Sequence, residues 1–264
     1  MIDTHCHLTF PEFSSRVDEV LSVANEHVVT GMISISTTTV DCVNALEIAK
    51  QHERVWCTAG VHPLYSDEGP HNWEQMRTVG MHEKCVGWGE LGLDNHYDEP
   101  LRDIQHTVLH EQLAHIESWK NDTSCPLDLP IVIHCRKAFN DLIPILRSSL
   151  LAADKFVFHC FTGSPEDVRR VLDFGASVSF TGVVTYKNAR EVAEAAKLVP
   201  SDRIMVETDA PFLSPEPKRG VRPCEPWMTS LTARFLAEIR GQDFDSFHDQ
   251  INRNTHNFFG IPAA

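Results

Sequence analysis

Short apolar segments recur along this chain, and each is followed by a stretch with helical periodicity. Several of them are β-branched and almost continuously apolar, which is typical of strands that are covered on both faces. We predict strands at residues 2–7, 29–36, 55–62, 85–93, 131–135, 155–160, 176–181 and 203–208. Amphipathic patterns predict helices at residues 17–26, 43–52, 101–119, 168–174, 227–240 and 244–259.

The repetition of these β-then-α units also predicts the fold class. No change in composition interrupts them, so we expect a single domain over residues 1–264, a closed (β/α)8 TIM barrel with an extra C-terminal helix. A doubly wound open sheet is the alternative fold, because a local pattern cannot show that a sheet closes. No GxxxxGK[ST] motif occurs, so the phosphate-binding loop of P-loop nucleotide-binding proteins is missing.

Charge and cysteine content restrict the partners and the compartment. The chain has 23 basic and 37 acidic residues and a formal net charge of −14, which repels polyanions at long range. Any binding of nucleic acid must therefore depend on local attraction of phosphate. Eight cysteines without a CxxC pair, and no signal peptide, predict reduced thiols and a cytoplasmic protein. No apolar run approaches the length of a membrane span.

Residue types that bind metals stand at the ends of several predicted strands. In Asp3-Thr4-His5-Cys6-His7, strand alternation places His5 and His7 on one face. Four further strands end in such residues, namely Glu90, His134, His159 and Asp209. Barrel enzymes carry their chemistry at the carboxyl ends of the strands, so residues far apart in sequence converge there. We therefore predict a metal centre at this end of the barrel.

Alternation also predicts the environment of residues that neighbour these ligands. Cys6, Cys135 and Cys160 each follow a histidine or stand between two, so they should face the surrounding helices as packing residues. Glu207 lies two residues before Asp209 on the same inward face, one layer deeper. We expect it to position the ligands from behind, the alternative being an ion pair inside the barrel.

We predict that other side chains at the carboxyl ends of the strands contact the substrate. His62 ends the third strand, and Arg136 shares the face of His134, where a guanidinium can form two hydrogen bonds to a phosphate. In the loop at residues 217–222 Arg219 is the preferred candidate, whereas a solvated surface loop explains Lys218 and Arg222 almost as well. Four aromatic residues at or after strand ends either stack on a terminal base or pack in the core or at the rim: Tyr65, Tyr97, Tyr186 and Phe212.

Taken together, these motifs resemble the TatD family of metal-dependent deoxyribonucleases, within the wider amidohydrolase-like barrels. The matching segments are DTHCHL (3–8), AGVHP (59–63), GELGLD (89–94), IHCR (133–136), HCFTGS (159–164), ETDAPFL (207–213) and NRNTHNFFG (252–260). The resemblance runs from end to end, with two departures. Leu64 stands where relatives commonly have a second histidine, and Pro-Cys-Glu-Pro at 223–226 replaces the usual Asn-Glu-Pro.

The resemblance implies a ligand set and an activity. It assigns two divalent metal ions to His5, His7, Glu90, His134, His159 and Asp209, with Glu90 bridging the ions. It implies Mg²⁺-dependent cleavage of DNA by a metal-activated water, in which Glu90 and Asp209 are catalytic. Cleavage would often start at 3′ ends and favour single strands, and RNA is a second possible substrate. A His-rich site also suits Mn²⁺ or Zn²⁺.

Two other functions remain open at this point. The same barrel hydrolyses C–N and ester bonds in amidohydrolases, and aminoacyl-tRNA deacylation would be a version linked to nucleic acid. A non-enzymatic barrel that holds metal as a binding or assembly factor is the second alternative. Phosphate capture by His62, Arg136 and Arg219 favours the nuclease, and nothing in the sequence indicates a protein partner.

Overall fold

The computed structural model describes residues 1–262, and all eight predicted strands are present in it. They form one parallel sheet in which the spatial order of the strands is their order in sequence. The strands are β1 (Ile2–Cys6), β2 (Gly31–Ser34), β3 (Val55–Ala59), β4 (Cys85–Asp94), β5 (Ile131–Arg136), β6 (Phe156–Phe158), β7 (Ser177–Phe180) and β8 (Ile204–Val206).

Contacts between the first strand and the segment after the last one close the sheet. Cys6 and Ala210 form a parallel bridge. The amide of Asp209 donates to the carbonyl of His5 over 2.8 Å, and the amide of His7 donates to the carbonyl of Ala210 over 2.8 Å. The predicted TIM barrel is therefore confirmed, and the open doubly wound sheet is excluded.

Helices follow the strands and cover the outside of the sheet. They are α1 (Val17–Glu26), α2 (Asp41–Gln51), α3 (Trp73–Gly80), α4 (Arg102–Lys120), α5 (Phe139–Ser148), α6 (Pro165–Phe174), α7 (Arg190–Leu198), α8 (Thr229–Ile239) and α9 (Phe244–Phe259). The predicted extra C-terminal helix is α9, which packs against β8 and β1. None of the helices in the described part of the chain is long and apolar enough to cross a membrane.

Helix α6 shows why the bounds from periodicity were too short. Its first buried residue is Val168, but a capping box begins the helix one turn earlier. In this box the hydroxyl of Ser164 accepts from the amide of Asp167, and the Asp167 carboxylate accepts from the amide of Ser164. The helix ends at Gly175, whose φ of 113° is easily reached only by glycine.

The two ends of the barrel interior differ in polarity. Inward side chains from seven strands form a buried apolar cluster with the end of α9, made of Ile2, Ile33, Ile35, Trp56, Val86, Val132, Val157, Met205, Phe259 and Ile261. The carboxyl end of the interior instead contains buried histidines and carboxylates. Because the apolar end is filled, substrates can reach only the polar end.

Two buried glutamines of α4 bind the backbone around that polar end. The side chain of Gln112 accepts from the amide of Val61 over 2.8 Å and donates to its carbonyl over 3.0 Å. Seven residues earlier on the helix, Gln105 accepts from the amide of Asp94 over 2.9 Å and donates to its carbonyl over 3.1 Å. Each glutamine thus pairs with a strand end as another strand would, and fixes the residues that follow it.

We predict that Gln112→Leu lowers the free energy of unfolding by about 2 to 6 kcal/mol. The substitution leaves two buried backbone groups of Val61 without partners, and each such group costs about 1 to 3 kcal/mol. Urea unfolding of the variant and of Glu111→Leu, an exposed control on the same helix, measures the effect. Equal stability of both variants would contradict this role of Gln112.

Candidate metal centre

Glu90 lies at the centre of the polar end, and its Oε1 atom faces the histidines of β1 and the segment after it. Oε1 is 3.7 Å from His5 Nε2 and 3.9 Å from His7 Nε2. The same two nitrogens lie 3.5 and 3.3 Å from Asp209 Oδ1. His5, His7 and Glu90 thus surround one position at which a cation would have nitrogen and oxygen donors, and His5, His159 and Asp209 surround a neighbouring one.

The other oxygen of Glu90 faces a second group of histidines. Oε2 is 2.5 Å from His159 Nε2 and 3.4 Å from His134 Nδ1. Glu90 thus lies between two sets of nitrogen donors, which is the position of a ligand that bridges two cations. All six predicted ligands converge, although the sequence separates them by up to two hundred residues.

Glycine before Glu90 allows this carboxylate to reach the centre. Gly89 has a φ of 129°, and a Cβ atom there would lie 2.6 Å from the carbonyl oxygen of Val132. The Gly89 carbonyl accepts from the Thr58 hydroxyl over 2.6 Å, which ties this part of β4 to β3. A side chain at position 89 would collide with β5. Relief of that collision would move the β4 backbone and change the direction of the Glu90 side chain.

The donor set fits divalent cations. Both ring nitrogens of His5 are buried without a hydrogen-bond partner, and such groups are costly unless something satisfies them. Burial opposes the ionisation of Glu90, but the adjacent His159 holds its pKa well below the usual range. Burial likewise opposes ionisation of Asp209, yet the adjacent His7 and His5 lower its pKa. Two ionised carboxylates and several imidazoles are thus available to cations.

Hydrogen bonds outside this cluster orient two of the rings. His134 Nε2 is 3.0 Å from Asp94 Oδ2, so it donates to the carboxylate and leaves Nδ1 free towards Glu90. His7 Nδ1 donates to the Ile35 carbonyl over 3.0 Å and leaves Nε2 free. Such partners fix the tautomer of a metal-binding histidine. Asp94 is not among the residues predicted from the sequence, although alternation along β4 places it on the face of Glu90.

Glu207 lies on the side of His159 that faces away from Glu90. Its Oε1 atom is 3.6 Å from His159 Nδ1 and accepts from the amide of Cys160 over 2.5 Å. Its Oε2 atom accepts from the Thr4 hydroxyl over 3.2 Å and from the Ser179 hydroxyl. Because it joins β1, the end of β6 and β7, it supports the position of His159, which favours the positioning role over an internal ion pair.

The cysteines follow the alternation rule only in part. Cys6 is fully buried in the apolar layer between sheet and helices, as expected. Cys135 also packs in that layer but borders the cleft, and the prediction for Cys160 is wrong, because this residue lines the cleft. Its φ of 43° interrupts the extended backbone directly after His159 and cancels alternation there. Within the described residues, the groups with metal-binding geometry contain no cysteine.

A cleft of about 910 Å³ opens above the cluster, and His62 forms part of its wall. The ring accepts from the amide of Leu64 at Nδ1 over 3.0 Å, so a neutral His62 carries its proton on Nε2. Burial lowers the pKa of His62 to about 3, which keeps the ring neutral. Nε2 is also 3.1 Å from His134 Nδ1 and 3.6 Å from Glu90 Oε1. This tautomer favours a role in which His62 donates a hydrogen bond to a bound anion. His62 also lies in a group with Glu90 and His134 that has the geometry to hold a metal ion.

The predicted arginines lie in different places. Arg136 lines the cleft, and its guanidinium is 5.2 Å from the centre of the Tyr97 ring. The guanidinium of Arg219 lies 4.1 Å from the centre of the Tyr186 ring, and Arg219 is not among the residues that line the cleft. Arg222, which the sequence ranked below Arg219, does line it. The part of Arg219 in phosphate binding therefore stays a prediction.

We predict that Asp94→Asn weakens divalent metal binding by about 10- to 100-fold, because His134 loses the carboxylate that orients it. Cys160→Ser is the matched control, since a hydroxyl preserves the contact of the thiol with Thr181 at 3.4 Å. Titration calorimetry with Mn²⁺ on the metal-free proteins measures both affinities. Unchanged affinity in Asp94→Asn would show that this hydrogen bond does not position His134.

Comparison with known proteins identifies relatives over the whole chain. The family model described as TatD related DNase matches residues 2–260. YabD of Bacillus subtilis, described as an uncharacterized metal-dependent hydrolase, is 32% identical over 262 residues, 99% of each chain. A TatD protein of Erwinia amylovora, described as a 3'-5' ssDNA/RNA exonuclease, is 32% identical over 269 residues, 99% of this chain and 100% of that protein.

Solved structures give the same relationship. The crystal structure of YJJV, a TatD homologue from Escherichia coli K12, superposes with a TM-score of 0.90 at 27% identity, covering 99% of this chain and 98% of that one. An organophosphorus hydrolase from Deinococcus radiodurans shares the fold with a TM-score of 0.64 at 13% identity, covering 98% and 92% of the two chains. This chain belongs to the TatD-related DNase family of metal-dependent hydrolases.

Proposed function

We propose that this protein is a metal-dependent exonuclease that hydrolyses phosphodiester bonds of DNA from 3′ ends. Single strands are the preferred substrate, and RNA is a second one. The observation that carries the proposal is that the Glu90 cluster and the Arg136 guanidinium share one cleft. The description of the Erwinia amylovora relative as a 3'-5' ssDNA/RNA exonuclease supports the same substrate class.

We assign two divalent cations to this cluster, with Mg²⁺ as the functional metal and Mn²⁺ or Zn²⁺ as substitutes. His5, His7 and Asp209 would hold one cation, and His134 and His159 the other, with Glu90 binding both. Bound cations would stabilise the charge that develops on the attacking and leaving oxygens at phosphorus.

The protein's own side chains would orient the reactants. The Asp209 carboxylate is 17% exposed and borders the cleft, so it can accept a hydrogen bond, and then a proton, from a water. His62 Nε2 can donate to a phosphate oxygen, and the planar guanidinium of Arg136 can form two hydrogen bonds to another. Such positioning removes the entropic cost of bringing the reactants together.

Phosphate capture distinguishes this proposal from the amidohydrolase alternative. With a formal net charge of −14, the protein lacks a long-range field that would attract nucleic acid. The Arg136 guanidinium beside the predicted metal ligands is therefore well suited to bind an anionic diester. A neutral ester or amide would gain little binding energy from it. The compartment, the cytoplasm, stays a prediction from the cysteine content.

We predict that exhaustive chelation abolishes cleavage of a 3′-terminated DNA oligonucleotide and that added Mg²⁺ or Mn²⁺ restores it. At saturating metal, Asp209→Asn and Glu90→Gln should lower kcat by about 100-fold or more, since each removes a charge near the reacting centre. Asp98→Asn is the control, because Asp98 is exposed and does not line the cleft. Turnover that survives complete metal removal would refute the mechanism.

We also predict that Arg136→Ala lowers kcat/KM for a short oligonucleotide about tenfold or more without changing metal content, because it removes a charge-assisted bidentate contact. Lys218→Ala, an exposed residue outside the cleft lining, should have little effect. Because few phosphates are neutralised, kcat/KM should fall only shallowly across a salt series. If Arg136→Ala equals wild type on the oligonucleotide, and a chromogenic ester outperforms a matched phosphodiester, the carbonyl-hydrolase alternative is favoured.

A further inference from the structure

We propose that Phe212, supported by Phe10, is a stacking platform for the nucleobase next to the phosphodiester bond that is cleaved. This inference rests on the proposed nuclease function and adds the part of the substrate that the metal ligands and Arg136 do not contact. Phe212 is 39% exposed and lines the cleft, in the loop between β8 and α8. A large aromatic ring left partly in water beside a polar centre is a natural surface for a flat apolar ligand.

The backbone ties Phe212 to a metal ligand. Its amide donates to the carbonyl of Asp209 over 2.9 Å, which closes a tight turn directly after Asp209. In a nucleotide the base lies only one sugar away from its phosphate. A phosphate held at the Asp209 side of the cluster therefore brings the attached base within reach of a ring on the same turn.

A second ring supports the platform. The centroids of Phe10 and Phe212 are 6.1 Å apart with the planes at 80°, an edge-to-face contact. Phe10 in turn stacks on the metal ligand His7, with centroids 4.8 Å apart and planes at 20°. The rings thus continue from the cluster towards the cleft opening, and the contact with Phe10 restrains Phe212 before a base arrives.

The other aromatic candidates from the sequence are less suited to this role. Tyr186 donates its hydroxyl to the Ser214 carbonyl and lies under the Arg219 guanidinium, outside the cleft lining. Tyr65 makes an edge contact with His62 and is half-buried. Tyr97 borders the cleft, but the Arg136 guanidinium lies near its ring. Within the described residues, no Lys or Arg lies over Phe212.

The net negative charge of the chain is a further argument for base stacking. A chain with a formal net charge of −14 gains little affinity for a polyanion from its overall field. Base stacking on an aromatic ring depends little on salt and accepts every base, because each base has a π face. The platform would therefore add affinity for a nucleic-acid end without adding sequence preference.

A double comparison of enzyme and substrate tests the platform. The substrates are single-stranded DNA oligonucleotides of one sequence, with a normal base or an abasic tetrahydrofuran residue at one of the two positions that flank the terminal scissile bond. The enzymes, loaded with Mg²⁺, are wild type, Phe212→Ala, Phe212→Trp and the control Val221→Ala. Val221 is exposed in the same loop but does not line the cleft.

We expect wild type to lose about tenfold or more in kcat/KM when the base at one of these positions is removed. Phe212→Ala should lose a similar factor on the normal substrate and nothing further on that abasic one. Phe212→Trp should keep the preference for the base, Val221→Ala should match wild type, and metal content should be unchanged in all four proteins.

Two results would overturn the platform while leaving the nuclease intact. One is a Phe212→Ala variant that equals wild type on the normal substrate. The other is a variant whose loss is the same on the normal and both abasic substrates, which indicates a structural role. A wild-type protein that cleaves no oligonucleotide would instead refute the proposed function and the platform with it.

Discussion

A buried carboxylate among histidines is the interaction on which the rest of this structure depends. Glu90 is 2% exposed, yet five imidazoles approach its two oxygens from β1, β3, β5 and β6 or the residues just after them. A charge so far from water is tolerated only when paired charges or a metal compensate it. Closure of the barrel is what brings these side chains to one point, so the fold and the donor set require each other.

The surrounding hydrogen bonds make that point rigid. Asp94 orients His134, Glu207 lies behind His159, and the two glutamines of α4 hold the strand ends that precede His62 and follow Glu90. All of these groups are buried, so losing one partner leaves another polar group without a hydrogen bond. This explains why residues that never meet a substrate can still affect metal binding and catalysis, since a ligand misplaced by a fraction of an ångström binds more weakly.

The acidic character of the chain determines how a polyanion would have to be recognised. Attraction is confined to the cleft, where cations, Arg136 and the donor at His62 would act on a phosphate, and a ring such as Phe212 on its base. Recognition of this kind reads one or two nucleotides at an end and does not grip a long backbone. It therefore agrees with an enzyme that acts at the ends of strands, and with a shallow dependence of activity on salt.

The sequence by itself determined the eight strands, most of the helices and the six histidine and carboxylate residues that converge at the polar end of the barrel. Apolar β-branched runs specify strands through local preferences, and alternation placed His5 and His7 on one face because both lie in or next to an extended strand. Only the tertiary structure decided what depends on distant contacts or on a single backbone angle. Closure required pairing of the first strand with residues after the last, and the left-handed angle at Cys160 interrupted alternation so that this residue borders the cleft. The contact of Asp94 with His134 and that of Phe212 with Phe10 likewise join residues far apart in sequence, which no local periodicity encodes.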